Sequence, residues 1–96
     1  MPIITGIRDL VDKNIVPGGA YNNLDHMDNF IDWPDSIPLV DRLILCDPQT
    51  SGGLLIALPM NKVKLLMDAM DQGGVRGAKL IGEITDDPSQ AIQILA

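Results

Sequence analysis

The chain has 96 residues with seven basic and 13 acidic side chains, a formal net charge of −6, and aromatic residues make up 3% of it. Such a chain lacks the basic face that nucleic acid or an anionic membrane requires and the aromatic platform on which bases stack, so we expect neither partner. The length leaves room for one domain with a modest core. A single cysteine, Cys46, cannot form an internal disulfide, and no apolar run approaches the roughly 20 residues that span a bilayer; we therefore expect a cytoplasmic protein.

The first half of the chain is predicted to be mainly helical. A helix over residues 5–15 is indicated by apolar side chains at spacings of three and four, and a Pro-Gly-Gly sequence at 17–19 should end it. A short helix near residues 22–27 precedes an acidic loop. Residues 38–46 suit a further helix, although a strand over 43–46 fits the pattern as well.

The second half is predicted to contain three strands and one helix. Residues 54–58 are wholly apolar, which is typical of an interior strand covered on both faces. Residues 60–72 carry a helical apolar stripe, residues 78–85 alternate like a strand, and a last strand is expected over 91–95. Helices and strands in this order predict an α+β fold, layered in the α/β manner.

The chemistry-bearing residues concentrate in the loop 47–53, with the sequence DPQTSGG. Its glycines allow a ligand to approach the backbone closely and leave N–H groups free to point at it. The hydroxyls of Thr50 and Ser51 add donors, and Asp47 would orient the loop or hold a metal ion. One interpretation is therefore an oxyanion or phosphate contact. The other is a tight turn into a core strand, in which Asp47 and Thr50 satisfy local backbone groups.

Other polar features of the sequence are interpreted structurally. We interpret the loop that begins at Gly18 and Gly19 as a turn, Cys46 as a small buried hydrophobic residue, and His26 as a surface residue. The acidic run is interpreted as solvated surface, since its spacing matches no calcium loop; its members are Asp25, Asp28, Asp32 and Asp35. We predict no catalytic residue and no metal ligand in the chain.

One string in the sequence is specific to a known family. Residues 45–57, LCDPQTSGGLLIA, resemble the C-terminal signature of the selenophosphate synthetases, or selenide, water dikinases. Upstream, residues 15–24 resemble the proline-glycine-glycine segment of that family, with Ala20 and Asn22 where a hydroxyl and a basic residue are expected. Downstream, residues 80–84 resemble its Ile-Gly-Glu-Ile strand. By order and spacing the resemblance covers nearly all of residues 2–95.

The resemblance implies a fold and a parent activity. Residues 1–96 would be a partial C-terminal domain of the aminoimidazole ribonucleotide synthetase type, a mixed sheet packed with helices, without the N-terminal ATP-binding domain of the family. The parent enzyme is a magnesium-dependent transferase of the kinase class, which makes selenophosphate from selenide and ATP and releases AMP and phosphate. Its catalytic cysteine or selenocysteine belongs to the missing region and is not Cys46.

The resemblance also implies which residues face the missing domain. They are the signature residues Asp47, Thr50, Ser51, Gly52 and Gly53, which would line a substrate- or phosphate-facing loop. We expect the isolated chain to be inactive, to bind neither ATP nor Mg²⁺ alone, and to need the ATP-binding domain as its partner. We also expect it to form a homodimer. The alternative is a stand-alone interaction or small-ligand module, dimeric or not.

Overall fold

The computed structural model describes residues 1–95. The described residues form two compact units, one made of residues 3–52 and 86–95 and the other of residues 1–2 and 53–85. They contain four α-helices and one pair of strands. The chain is therefore a mixed α+β protein, as the sequence predicts.

Three helices build the first unit: α1 (Ile7–Asp12), α2 (Gly18–Met27) and α3 (Leu39–Leu45). A short 3₁₀ turn, Asp28–Phe30, follows α2. Helix α3 packs against both α1 and α2. The buried hydrophobic residues of the described chain all belong to α2, to α3 or to the residue that ends α3; they are Ala20, Leu43 and Cys46. The core of this unit thus lies around α3.

The two strands also belong to the first unit. Strand β1 (Ile31–Asp32) pairs in parallel with β2 (Ile92–Gln93), and Ile31 lies opposite Ile92. The predicted last strand is thus confirmed in a shorter form. Strand β1 was not predicted, because a two-residue strand inside an acidic segment carries no periodic signal.

One helix, α4 (Met60–Gln72), organises the second unit. Its bounds agree with the predicted helix over residues 60–72. The helix ends where Gly74 adopts a left-handed backbone with φ 84°, and the N–H of Val75 then donates to the carbonyl of Met70 at 2.8 Å. A glycine adopts this conformation without the steric cost that a side chain would bring.

Two predicted strands are wrong. Residues 54–58 and 78–85 have no strand structure in the part of the chain that the structure describes. The run over 54–58 is not interior either, because Leu54 is 92% exposed and Leu55 is 82% exposed. An apolar or alternating sequence favours a strand, but a strand forms only where a second segment supplies main-chain hydrogen bonds. Residues 1–95 supply no such partner to either run.

Three smaller differences concern the helices. Helix α1 is shorter than the predicted 5–15, because Asn14 follows it with a left-handed φ of 62°. The Pro-Gly-Gly sequence does not end α1, which stops at Asp12; it starts α2 at Gly18 instead. Residues 39–45 are helical, which decides between the two interpretations of that segment. None of the helices among residues 1–95 is long and apolar enough to cross a membrane.

Candidate functional site

The signature loop, residues 47–53, leaves the C-terminal end of α3. Cys46 caps that helix, and the N–H of Asp47 still reaches the carbonyl of Ile44 at 3.4 Å. One further main-chain bond, from Gln49 N–H to the Asp47 carbonyl at 3.0 Å, closes the first bend. Asp47 is half-buried, whereas residues 48–53 are exposed. The loop is therefore presented to solvent.

The second part of the loop carries a row of available donors. Within residues 1–95, no main-chain or side-chain acceptor takes the N–H groups of Thr50, Ser51, Gly52 or Gly53. The hydroxyls of Thr50 and Ser51 also make no hydrogen bond in the described residues. Exposed N–H and O–H groups in sequence are suited to donate to an oxyanion. A role of these residues in binding stays a prediction.

Helix α2 contacts the beginning of this loop at two points. The side-chain amide of Asn23 donates through Nδ2 to the carbonyl oxygen of Cys46 at 2.9 Å. One turn earlier, Gly19 faces the ring of Pro48 so closely that a Cβ on Gly19 would lie 2.8 Å from Pro48 Cγ. The structure thus brings the Pro-Gly-Gly segment and the signature loop together.

The sequence does not predict this contact, because the two segments share no pattern. The Gly18–Gly19 segment, interpreted as a turn, is instead the start of α2. The available signal was the spacing of Gly19 and Asn23, because residues four apart in a helix share one face. That signal identifies the face but not the segment that packs on it.

The thiol of Cys46 is poorly suited to nucleophilic chemistry. The residue is 8% exposed, and burial raises the pKa of the thiol, with the negative charge of Asp28 as the second cause. A raised pKa keeps the thiol protonated, whereas the nucleophile is the thiolate. The interpretation of Cys46 as a small buried hydrophobe is confirmed.

An open depression of about 310 Å³ lies between α2 and α3. Arg42 contributes the positive charge to it. The Nε of Arg42 donates to the Ile37 carbonyl at 3.1 Å, and its guanidinium carbon lies 5.2 Å from the centre of the Trp33 ring. The other lining residues are Tyr21, Leu24, Asp25, Asp28 and Leu39. This mixture of charges favours no single class of ligand.

The acidic segment and its histidine lie at the surface. Asp25, Asp28, Asp32 and Asp35 are all exposed, and so is His26, whose ring centre lies 6.3 Å from that of Phe30. No group of three or more His, Cys, Asp or Glu side chains among residues 1–95 is arranged to hold a metal ion. The described residues therefore do not fit a Mg²⁺ site, and we assign no step to that ion here.

Comparison with known proteins gives one consistent result. The chain is 40% identical over 83 residues to the selenide, water dikinase of Pelobacter propionicus. The matched residues make up 86% of this chain and 24% of that relative. It is 36% identical over 92 residues to the protein of the same name from Carboxydothermus hydrogenoformans, covering 96% of this chain and 26% of the relative. For Clostridioides difficile the identity is 33% over 95 residues, with 99% of this chain and 27% of the relative covered.

The chain thus spans about a quarter of the length of the curated relatives it matches. No family model matches the chain. No solved structure is significantly similar to it.

Proposed function

Since the chain belongs to the selenide, water dikinase family, we propose that it is the C-terminal part of an enzyme that makes selenophosphate from selenide and ATP. The observation that carries this proposal is the match of up to 99% of the chain to one segment of enzymes that share that name. The resemblance that the signature string indicated is confirmed by these matches.

The reaction that we propose for the parent enzyme converts ATP, selenide and water into selenophosphate, AMP and phosphate. Going from ATP to AMP breaks both phosphoanhydride bonds, so one phosphoryl group goes to selenide and the other to water. Charge on the phosphoryl oxygens must be stabilised in both transfers. ATP supplies the phosphoryl groups, and the residues that hold Mg²⁺ belong to the remainder of the enzyme in this proposal.

The role that we assign to this chain is to donate hydrogen bonds from the signature loop. The donors are the N–H groups of residues 50–53 and the hydroxyls of Thr50 and Ser51, all on exposed residues. Donors fixed in advance toward a developing negative charge contribute strongly to catalysis. Asp47 is half-buried at the start of the loop and would set its direction.

The fold that we propose for the complete domain is of the aminoimidazole ribonucleotide synthetase type. The supporting observation is the exposure of apolar residues in the two runs predicted as strands, where Leu54 is 92% and Ile84 is 86% exposed. In this proposal the rest of the parent enzyme, including its ATP-binding domain, supplies the strands and the apolar surface that these runs lack. The single buried thiol, Cys46, is in keeping with a cytoplasmic enzyme.

A chimeric enzyme tests the proposal. The matching segment of the Pelobacter propionicus selenide, water dikinase is replaced by this chain, and selenide-dependent release of AMP is measured. We expect the chimera to be active and the isolated chain to be inactive. A folded chimera without activity, or selenophosphate formation by the isolated chain, would contradict the proposal.

Variants of the chimera test the signature loop. Ser51→Ala and Thr50→Val each remove one hydroxyl donor, and a hydrogen bond to a charged group contributes about 1.5–3 kcal/mol. We therefore expect kcat/KM to fall by about 10- to 100-fold in each variant. The matched controls Ser36→Ala and Thr5→Val change exposed hydroxyls outside the loop and should leave kcat/KM unchanged. Equal falls in kcat/KM in the loop variants and the control variants would contradict the role that we assign to the signature loop.

A second candidate function is an interaction module that acts without an ATP-binding domain. The exposure of large apolar side chains favours it, because such surfaces are usually covered by a partner. The partner that we propose in this case is a second copy of the chain. The oligomeric state of the isolated chain tests this candidate.

A further inference from the structure

Two residues of α2 face the start of the signature loop. Gly19 and Asn23 are four residues apart, so they lie on the same side of the helix. Asn23 Nδ2 is 2.9 Å from the carbonyl oxygen of Cys46, and Gly19 leaves space that the ring of Pro48 occupies. Together they contact the two residues that flank Asp47.

The hydrogen bond from Asn23 has a specific structural consequence. The carbonyl oxygens of the last turn of a helix accept no hydrogen bond from within that helix. Asn23 satisfies the carbonyl of Cys46, the residue that caps α3. This bond fixes the peptide plane through which the chain leaves the helix and enters the loop.

The missing side chain at Gly19 has a second consequence. A Cβ at this position would lie 2.8 Å from Pro48 Cγ and 3.3 Å from Pro48 Cβ. A proline ring is joined to its own backbone at two atoms, so it can yield only by changing its pucker or by moving with the main chain. Any residue larger than glycine at position 19 must therefore shift the Pro48 ring, the loop or α2.

We propose that Asn23 and Gly19 are positioning residues for the signature loop. They hold residues 46–48 in place, and thereby set the direction in which Thr50 and Ser51 present their amides and hydroxyls. Neither residue touches the substrate. This inference rests on the proposed function, because it concerns the geometry of the same loop.

The first experiment uses the chain itself and compares neighbouring asparagines. Asn23→Asp keeps the shape of the side chain but removes the Nδ2 donor. Asn22→Asp makes the same change at an exposed neighbour that has no hydrogen bond within the described residues. We expect Asn23→Asp to shift the amide resonances of residues 47–52 and to lower their backbone order parameters. Asn22→Asp should leave both unchanged.

Two adjacent glycines provide an independent pair of variants. Gly19→Ala adds the Cβ that meets Pro48, whereas Gly18→Ala adds a Cβ with no atom within 4 Å. Both changes replace a helical glycine by a better helix former. We expect the loop resonances to move with Gly19→Ala alone. If Asn23→Asp does not fold, this pair of glycine variants still tests whether α2 positions the loop.

The same variants in the chimeric enzyme separate positioning from a purely structural role. We expect Asn23→Asp to lower kcat about tenfold, since small misplacements of catalytic donors are costly, while KM stays nearly constant and resonances outside the loop are unchanged. Loop resonances that do not respond to Asn23→Asp and Gly19→Ala would overturn the inference. So would an active chimera whose kcat is insensitive to Asn23→Asp. An inactive parent chimera is a different result, since it counts against the proposed function itself.

Discussion

Burial sets the chemistry of Cys46, the one cysteine in the sequence. Its side chain is, with Leu43 and Ala20, one of the buried hydrophobic residues of the described chain. Burial in an apolar environment opposes the thiolate, and the charge of Asp28 opposes it further, so the pKa of the thiol is raised. The residue therefore acts by packing rather than by reaction.

The reactivity of this thiol can be measured directly. We expect Cys46 in the folded chain to react with iodoacetamide at least about tenfold more slowly than in the urea-unfolded chain at the same mildly alkaline pH. The unfolded thiol ionises first as the pH rises, so the folded state should also lose stability above the pKa of an ordinary cysteine. Equal alkylation rates in the two states would contradict this assignment.

At the scale of an element, α3 organises the first unit. Its Leu43 is 4% exposed, and the helix packs against α1 and α2. An ion pair from Arg8 Nε to Asp41 Oδ1, at 2.7 Å, joins α1 to α3 at the surface. Surface ion pairs contribute little compared with buried apolar side chains, so the packing of Leu43 should dominate.

Two leucines of this helix provide a matched comparison. Leu43→Ala should lower the free energy of unfolding by about 2–5 kcal/mol, because it removes buried methyl groups and leaves a cavity. Leu39 is 59% exposed on the same helix, and Leu39→Ala should change the free energy of unfolding by less than about 0.5 kcal/mol. Urea denaturation measures both. Leu43→Val provides a smaller change if the alanine variant is unfolded in the absence of urea. Similar decreases in the free energy of unfolding for Leu43→Ala and Leu39→Ala would show that the core does not lie around α3.

At the scale of the whole molecule, many large apolar side chains of the described residues are exposed to solvent. In the second unit, Leu54, Leu55 and Ile84 are each more than 80% exposed, at 92%, 82% and 86%. The helical side chains of α4 that share its apolar stripe are only half-buried; they are Val63, Leu66, Met67 and Met70. We expect such a surface to be covered by the rest of the parent enzyme that we propose, or by a second copy of the chain.

Sedimentation over a range of concentrations tests the self-association. We expect the weight-average sedimentation coefficient of the isolated chain to rise with concentration, and Leu54→Glu to weaken that rise. Leu39→Glu adds the same charge at an exposed leucine of the first unit and should have a smaller effect. A chain that sediments as a monomer throughout would contradict the predicted homodimer and the second candidate function.

Secondary-structure elements whose sequence pattern lies within one short stretch were predicted from the sequence. Helix α4 has a complete apolar stripe and a glycine pair, Gly73 and Gly74, at its end, and its predicted bounds agree with Met60–Gln72. Each hydrogen bond of a helix joins residues four apart, so the necessary information lies within one stretch of sequence. The signature loop was also identified from sequence, because hydroxyls and glycines are concentrated in it, and its exposure is a property of the structure.

Contacts between distant segments were decided by the tertiary structure. The pairing of Ile31 with Ile92 and the hydrogen bond from Asn23 to Cys46 join residues that no sequence period relates. The same reason explains the wrong strands over 54–58 and 78–85, since a strand depends on a partner that its own residues do not specify. The amino-acid sequence by itself determined the family resemblance, the presence of the helices and the position of the signature loop. The tertiary structure alone decided what anchors that loop, because the anchoring atoms come from a different helix.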